Sequence, residues 1–408
     1  MPLSVNIGGA YKQMNDGWVN IGGVWKKIDK ISTNIGGVWK EGYSSIRLDP
    51  TNILFSQQWA TTALYSTTYT SIDCVKIGKD GNIYVAYRRW QSGVYNLRYL
   101  KKINGSTGAI AWTITLPTTY ANAANKTYGL DIDASGNIYE LSKQMVSTTL
   151  YFTVKKYNSA GTEIGSYNIL TTTSSPTGVI AVDSSLRVHF GTSAVRTHYI
   201  INSSLSGYTT DAFTTGYTGI GSIAVTSSEV IAGLFFADTS EGDIRYGKHL
   251  LAGGTDTYTV EINSNNGWSS NPSFKTLNNS NGSTQVTSDN LYFYALTRGQ
   301  ISSTGDNIWK LTKVQISDMS VVWTVTTDEN DTEYYDFTNL SIDANDNVYI
   351  TSYLNGGSTI KLHAYNGSGT KIGDYTLSGN YKASIYASPY IAGLINVDET
   401  NKIVSRFI

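Results

Sequence analysis

Apolar and polar residues alternate over short stretches through residues 44–408, and clusters of Asp, Asn, Gly and Ser break the stretches apart. A period of two bounded by turn residues predicts half-buried β-strands. One kernel recurs: an apolar strand, a tight polar turn, then an apolar-aromatic strand. Its first copy is Val75-Lys76-Ile77-Gly78-Lys79-Asp80-Gly81-Asn82-Ile83-Tyr84-Val85. The second is Leu130-Asp131-Ile132-Asp133-Ala134-Ser135-Gly136-Asn137-Ile138-Tyr139. Further copies fall at 180–189, 223–231 (shortened), 285–292, 340–349 and 395–404. Successive copies lie 43 to 61 residues apart. Their mean step of about 53 is slightly above the ~40–50 residues usual for a four-stranded propeller blade.

Two more strands follow most kernels, such as 97–104 and 109–114 after the first. The last kernel has no such followers before Ile408. A strand–turn–strand candidate stands at 46–59 and ends in Trp59, parallel to Trp112 and Trp323 in other repeats. The pattern therefore predicts an all-β fold, a seven-bladed β-propeller closed by N- and C-terminal strands. The N-terminal pair is expected to complete the blade begun by the C-terminal pair. The weak fourth copy leaves six or eight blades open.

A tighter repeat precedes the body. Asn6-Ile7-Gly8-Gly9-Ala10-Tyr11-Lys12 returns as Asn20-Ile21-Gly22-Gly23-Val24-Trp25-Lys26 and as Asn34-Ile35-Gly36-Gly37-Val38-Trp39-Lys40. Each copy starts 14 residues after the one before. Gly-Gly between apolar stretches predicts two-residue hairpins, because primed turns need positive φ. A single hairpin is marginal in water. Residues 1–43 thus read as a small hairpin module that needs a partner, with 44–408 as the propeller. A β cap sealing the main domain is the alternative to an attachment or oligomerisation module. Tyr11, Trp25 and Trp39 are the candidate attachment residues, and exposed hairpin edges also allow a homo-oligomer.

Composition narrows the function classes. Lys and Arg number 30 against 31 Asp and Glu, so the net charge is -1 and nothing draws nucleic acid or anionic lipid to the whole surface. One cysteine, Cys74, excludes an intramolecular disulfide, and it reads as buried and inert. Four scattered histidines form no local metal motif. His189 reads as a packing residue on a strand. No apolar run approaches the ~20 residues that span a bilayer. The N-terminus has no signal-peptide pattern, so synthesis in a cytoplasm without membrane insertion is expected.

Chemistry is sparse. The Asp-x-x-Gly-Asn turns offer oxygens to calcium, but the same side chains favour such turns by binding nearby backbone N–H groups. No nucleophile elbow, phosphate loop or zinc motif occurs, so catalytic, metal and cofactor residues are all read as none. An enzyme is the less favoured reading and stays open. Arg88-Arg89-Trp90 reads as a basic-aromatic cluster in the turn after a second strand, able to stack a sugar or grip a carboxylate. Aromatic residues crowd the segments between repeats, among them Tyr65, Tyr69, Tyr120, Tyr128, Tyr217, Trp268, Tyr334, Tyr335, Tyr381, Tyr386 and Tyr390. With Asn and Ser neighbours they suit carbohydrate or protein binding. Arg88, Arg89, Trp90, Tyr120, Trp268, Tyr334, Tyr335, Tyr381 and Tyr386 are the candidate ligand-binding residues.

The kernel resembles the repeat of NHL-type bacterial propellers, with 130–139 and 340–349 matching best. The tandem Asn-Ile-Gly-Gly-Val-Trp-Lys units, with the Ser/Thr/Asn/Gly/Tyr-rich composition, are similar to bacteriophage tail and fibre proteins. That resemblance implies a virion protein of the tail, a structural protein presenting an adhesin propeller for host attachment. Its partners would be other virion proteins through residues 1–43 and a host surface glycan or protein. A glycan lyase or hydrolase on the same scaffold, and a cellular NHL-like scaffold for protein partners, are the alternatives.

Overall fold

A computed structural model gives the strands and tight turns within residues 3–407. The longer segments 45–56, 62–69, 118–125, 171–177, 237–243, 251–257, 262–283, 301–306 and 328–335, and several shorter loops, lie outside the described residues. The chain divides into two compact units, Met1–Leu54 and Phe55–Ile408, a boundary later than the expected 43/44. No helix occurs among the described residues.

The first unit contains three two-stranded antiparallel sheets. Their registers coincide: Asn6 faces Tyr11, Asn20 faces Trp25 and Asn34 faces Trp39. The innermost pairs, Ile7↔Ala10, Ile21↔Val24 and Ile35↔Val38, bracket the two glycines each time, as the Gly-Gly signal predicts.

The second unit is an all-β propeller. Among the described residues it has seven four-stranded antiparallel sheets, numbered here in chain order. They span 70–116, 127–170, 178–212, 217–261, 284–327, 336–378, and 383–407 joined by Gln57–Ala60. Each first strand neighbours the first strand of the next sheet, and that of sheet seven, Ala383–Ser388, returns to Thr70–Ile77 of sheet one. The core lies between sheets. Cys74, Tyr84 and Leu100 of sheet one pack with Leu130, Ile138 and Tyr157 of sheet two. Leu141, Phe152 and Val154 continue to Val182, Val188 and Phe190 of sheet three. Ile395 of sheet seven packs with Val75, Ile83 and Val85 of sheet one. Each completely buried side chain of this size stabilises the fold by about 1.5–3 kcal/mol.

The closure differs from expectation. Sheet seven takes three strands from the C-terminal side, Ala383–Ser388, Ile391–Asp398 and Ile403–Phe407. It takes one from the N-terminal side, Gln57–Ala60, with Trp59 opposite Arg406. The kernel at 395–404 is therefore the second hairpin of its sheet, whereas the other six kernels join first and second strands. The expected strand near 46–53 lies outside the described residues. Trp59 does sit on a fourth strand, as Trp112 and Trp323 do.

Candidate functional site

Antiparallel sheets of four strands put the first–second and third–fourth turns at one end. The second–third turns and the links between sheets lie at the other. The first end is built by repetition. Asp133 Oδ1 accepts the Ser135 and Asn137 backbone N–H groups at 2.9 Å each. Its Oδ2 accepts Asn137 Nδ2 at 2.8 Å and the Tyr139 hydroxyl at 3.3 Å. Asp343 repeats this with Asn345, Asn347 and Tyr349. Both oxygens of each carboxylate are thus engaged by donors, and these Asp residues close turns rather than present a calcium loop. Among the described residues, no group of three His, Cys, Asp or Glu side chains could hold a metal ion.

Sheet three varies the theme. Asp183 accepts the Ser185 and Arg187 backbone N–H groups and the Arg187 Nε, the last at 2.7 Å. His189 stands where the kernels at 75–85, 130–139, 285–292 and 340–349 carry Tyr, and it is 0% exposed. Its Nε2 lies 3.1 Å from Asp183 Oδ2, and its Nδ1 lies 3.0 Å from His198 Nε2. The two rings stack with centroids 5.1 Å apart. A carboxylate can only accept, so the His189 ring donates through Nε2 to Asp183. Burial works to raise the Asp183 carboxyl, but the bonds from His189 and Arg187 outweigh it and hold it at about 2. This triad is sealed inside the fold and serves packing, as expected for His189. Cys74 is buried too.

The other end carries the polar junction of sheets one and two. Arg88 donates through Nε to Asp73 Oδ1 at 2.6 Å. Asp73 Oδ2 accepts the Thr127 N–H of the neighbouring sheet at 3.1 Å. Burial pushes the Asp73 carboxyl up to about 6 against the pull of Arg88. Arg98 and Glu140 form an ion pair across the junction, 2% and 0% exposed. Thr127 Oγ1 lies 2.8 Å from Arg98 Nη2 and 3.1 Å from Glu140 Oε1. Nearer the other end, Asp131 takes Lys76 Nζ at 3.1 Å and the Val182 N–H at 2.7 Å, tying the first strands of three sheets.

These contacts revise the Arg88-Arg89-Trp90 expectation. The three residues lie within the strand Ile83–Gln91, not in the turn after it. Arg88 is committed to Asp73, which leaves Arg89 as the exposed arginine of the cluster. Tyr128 lies on the strand Thr127–Ile132 and is buried, rather than standing in a loop. Tyr217 and Tyr386 also lie on strands, Tyr217–Val225 and Ala383–Ser388. Tyr65, Tyr69, Tyr120, Trp268, Tyr334, Tyr335, Tyr381 and Tyr390 lie outside the described residues. Tyr11, Trp25 and Trp39 stand on the return strands of the three hairpins. The junction residues Asp73, Arg98, Glu140 and Lys143 were missed in the sequence. Their signal is a charge inside an apolar strand, as in Ile72-Asp73-Cys74-Val75 and Tyr139-Glu140-Leu141.

No family model matches the chain. No curated protein matches it by sequence. Solved structures do resemble it. The Dos1 propeller superposes with a TM-score of 0.52 at 12% identity, covering 87% of this chain and 86% of that one. YCF48 bound to D1 peptide gives 0.49 at 11% identity, covering 88% and 97%. A functionally unknown protein from Desulfotomaculum acetoxidans gives 0.48 at 11%, covering 77% and 91%. At such identities the likeness concerns the fold alone, and the Dos1 propeller match supports a propeller.

Proposed function

We propose that this chain is a virion protein of a bacteriophage tail or fibre. In this reading residues 1–54 attach to other virion proteins. The seven sheets act as the blades of one seven-bladed ring, which presents a host-recognition surface. The observation that carries the reading is the threefold Asn–aromatic register of the N-terminal hairpins. Three copies of one two-stranded hairpin, each marginal alone, suit docking on a repeating or multimeric partner. The end of the propeller carrying the sheet-to-sheet links is the recognition face. The sequence between the repeats is rich in aromatic residues, among them Tyr120, Trp268, Tyr334, Tyr335 and Tyr381, and Arg89 is exposed near the end of its strand. Recognition without turnover is favoured by the junction chemistry, where the carboxylates of Asp73 and Glu140 are each paired with an arginine.

The test is adsorption. Purified 55–408 should bind the host's cells, compete with particle adsorption and release no shortened glycan. Double substitution of Tyr334 and Tyr335 by Ala should weaken binding by about 1–3 kcal/mol per anchor. Absence of binding, or release of cleaved glycan, overturns the reading.

A further inference from the structure

Among the described residues, two lysines at the junction of sheets one and two lack an ion-pair partner. Lys126 and Lys143 place their ammonium groups 4.7 and 4.8 Å from the centroid of one ring, Tyr128. Lys143 also lies 5.1 Å from the Phe152 centroid and is 3% exposed, while Lys126 is half-buried. Tyr128 packs edge-on against Phe152, with centroids 5.7 Å apart. The surrounding charges are already matched, Asp73 with Arg88 and Glu140 with Arg98. Among the described residues neither lysine has a hydrogen bond or an ion pair. Burial pushes the Lys143 amine down to about 8, and the nearby Lys126 adds to that. Burial lowers Lys126 as well, with Asp73 working against it.

A buried, uncompensated pair of like charges costs stability, and two aromatic faces return only part of it. An apolar side chain of the same length would fit Lys143's position between Tyr128 and Phe152 without that cost. The position faces the end of the sheets that carries the links between them, since Lys143 pairs with Phe152 near the hairpin at Val146 and Thr149. Lys126 stands on the link itself, one residue before the strand Thr127–Ile132.

We propose that Lys126 and Lys143, held over Tyr128, bind an oxyanion group of a ligand, a carboxylate or a phosphate. Lys126, half-buried, is the outer member of the pair and Lys143, 3% exposed, the inner one. Uronic-acid carboxylates and sugar or polyol phosphates supply this chemistry. The site does not depend on the virion reading, and a cellular propeller could hold the same ligand.

The test uses the full chain, with Lys126→Met and Lys143→Met beside it. Melting is followed in chloride, sodium glucuronate and inorganic phosphate at matched ionic strength. In chloride, Lys143→Met should melt at or above the parent temperature, because it removes an unmatched buried charge. Glucuronate or phosphate should raise the parent's melting temperature by several degrees and leave both variants unmoved. NMR of lysine labelled with ¹³C at Cε should show the Lys143 midpoint rising when the effective anion is added. Among the described residues, Tyr128, Asp73 and Arg88 are the other titratable or charged groups acting on this pair. A response to glucuronate alone assigns a carboxylate ligand, one to phosphate alone a phosphate ligand, and one to both a general oxyanion site. Overturning results are no response to either anion, equal responses in parent and variants, or an anion-independent Lys143 midpoint. Failure here leaves cell adsorption untouched, and loss of adsorption would leave anion binding untouched.

Discussion

Asp183 shows how much one side chain does in this fold. Its two oxygens close a turn, hold Arg187 and orient the buried His189. A carboxyl held at about 2 favours the folded state above the ordinary Asp value near 4. That contribution is lost as pH falls from about 4 through 2, because the unfolded chain takes up the proton first. The loss should amount to about 2 kcal/mol, and Asp183→Asn should lack that part of the slope. Urea denaturation at steps between pH 2 and 5 checks this; parallel slopes for parent and variant would contradict it. The turn role of such residues is legible in Asp-x-x-Gly-Asn, because an Asx turn needs only local partners. The pairing of Arg88 with Asp73 was not legible. The two stand 15 residues apart on adjacent strands, and only the register brings them together.

At the scale of elements, one contact explains two of the recurring tryptophans. Trp112, on the fourth strand of sheet one, donates through Nε1 to Ser159 O in the last turn of sheet two at 3.1 Å. Trp323 of sheet five does the same to Gly367 O of sheet six at 3.2 Å. The turn glycine under each ring has positive φ, 86° at Gly161 and 82° at Gly369. A Cβ on Gly369 would meet the Trp323 ring at 2.9 Å. Gly369→Ala should thus combine strain with a clash and destabilise by about 1–3 kcal/mol. Gly207→Ala is the control, since a Cβ there meets only Asn202 Nδ2 at 3.5 Å, and its change should stay within about 0.5 kcal/mol. Chemical denaturation of the two variants separates them; equal effects would show that the Trp–turn contact is not what constrains Gly369. The parallel between Trp112 and Trp323 was visible in the chain. Its cause was not, since each ring's acceptor belongs to the next repeat.

For the whole molecule, the repeat spacing made the propeller legible, and the apolar kernels located its first strands in six of the seven sheets. It misplaced the closure because a kernel marks a hairpin, not a position within a sheet. The kernel at 395–404 occupies second and third strands, so one N-terminal strand suffices where two were expected. The 14-residue units were legible in register down to the Asn–aromatic pairs. What such an array docks on is a property of another molecule. The most direct measurement is therefore the composition of purified phage particles produced with either the full chain or 55–408 as the sole copy. The account predicts that the full chain is a stoichiometric component of the particle and that 55–408 folds but stays in the soluble fraction. A full chain absent from particles, or a truncated one incorporated equally, would contradict it.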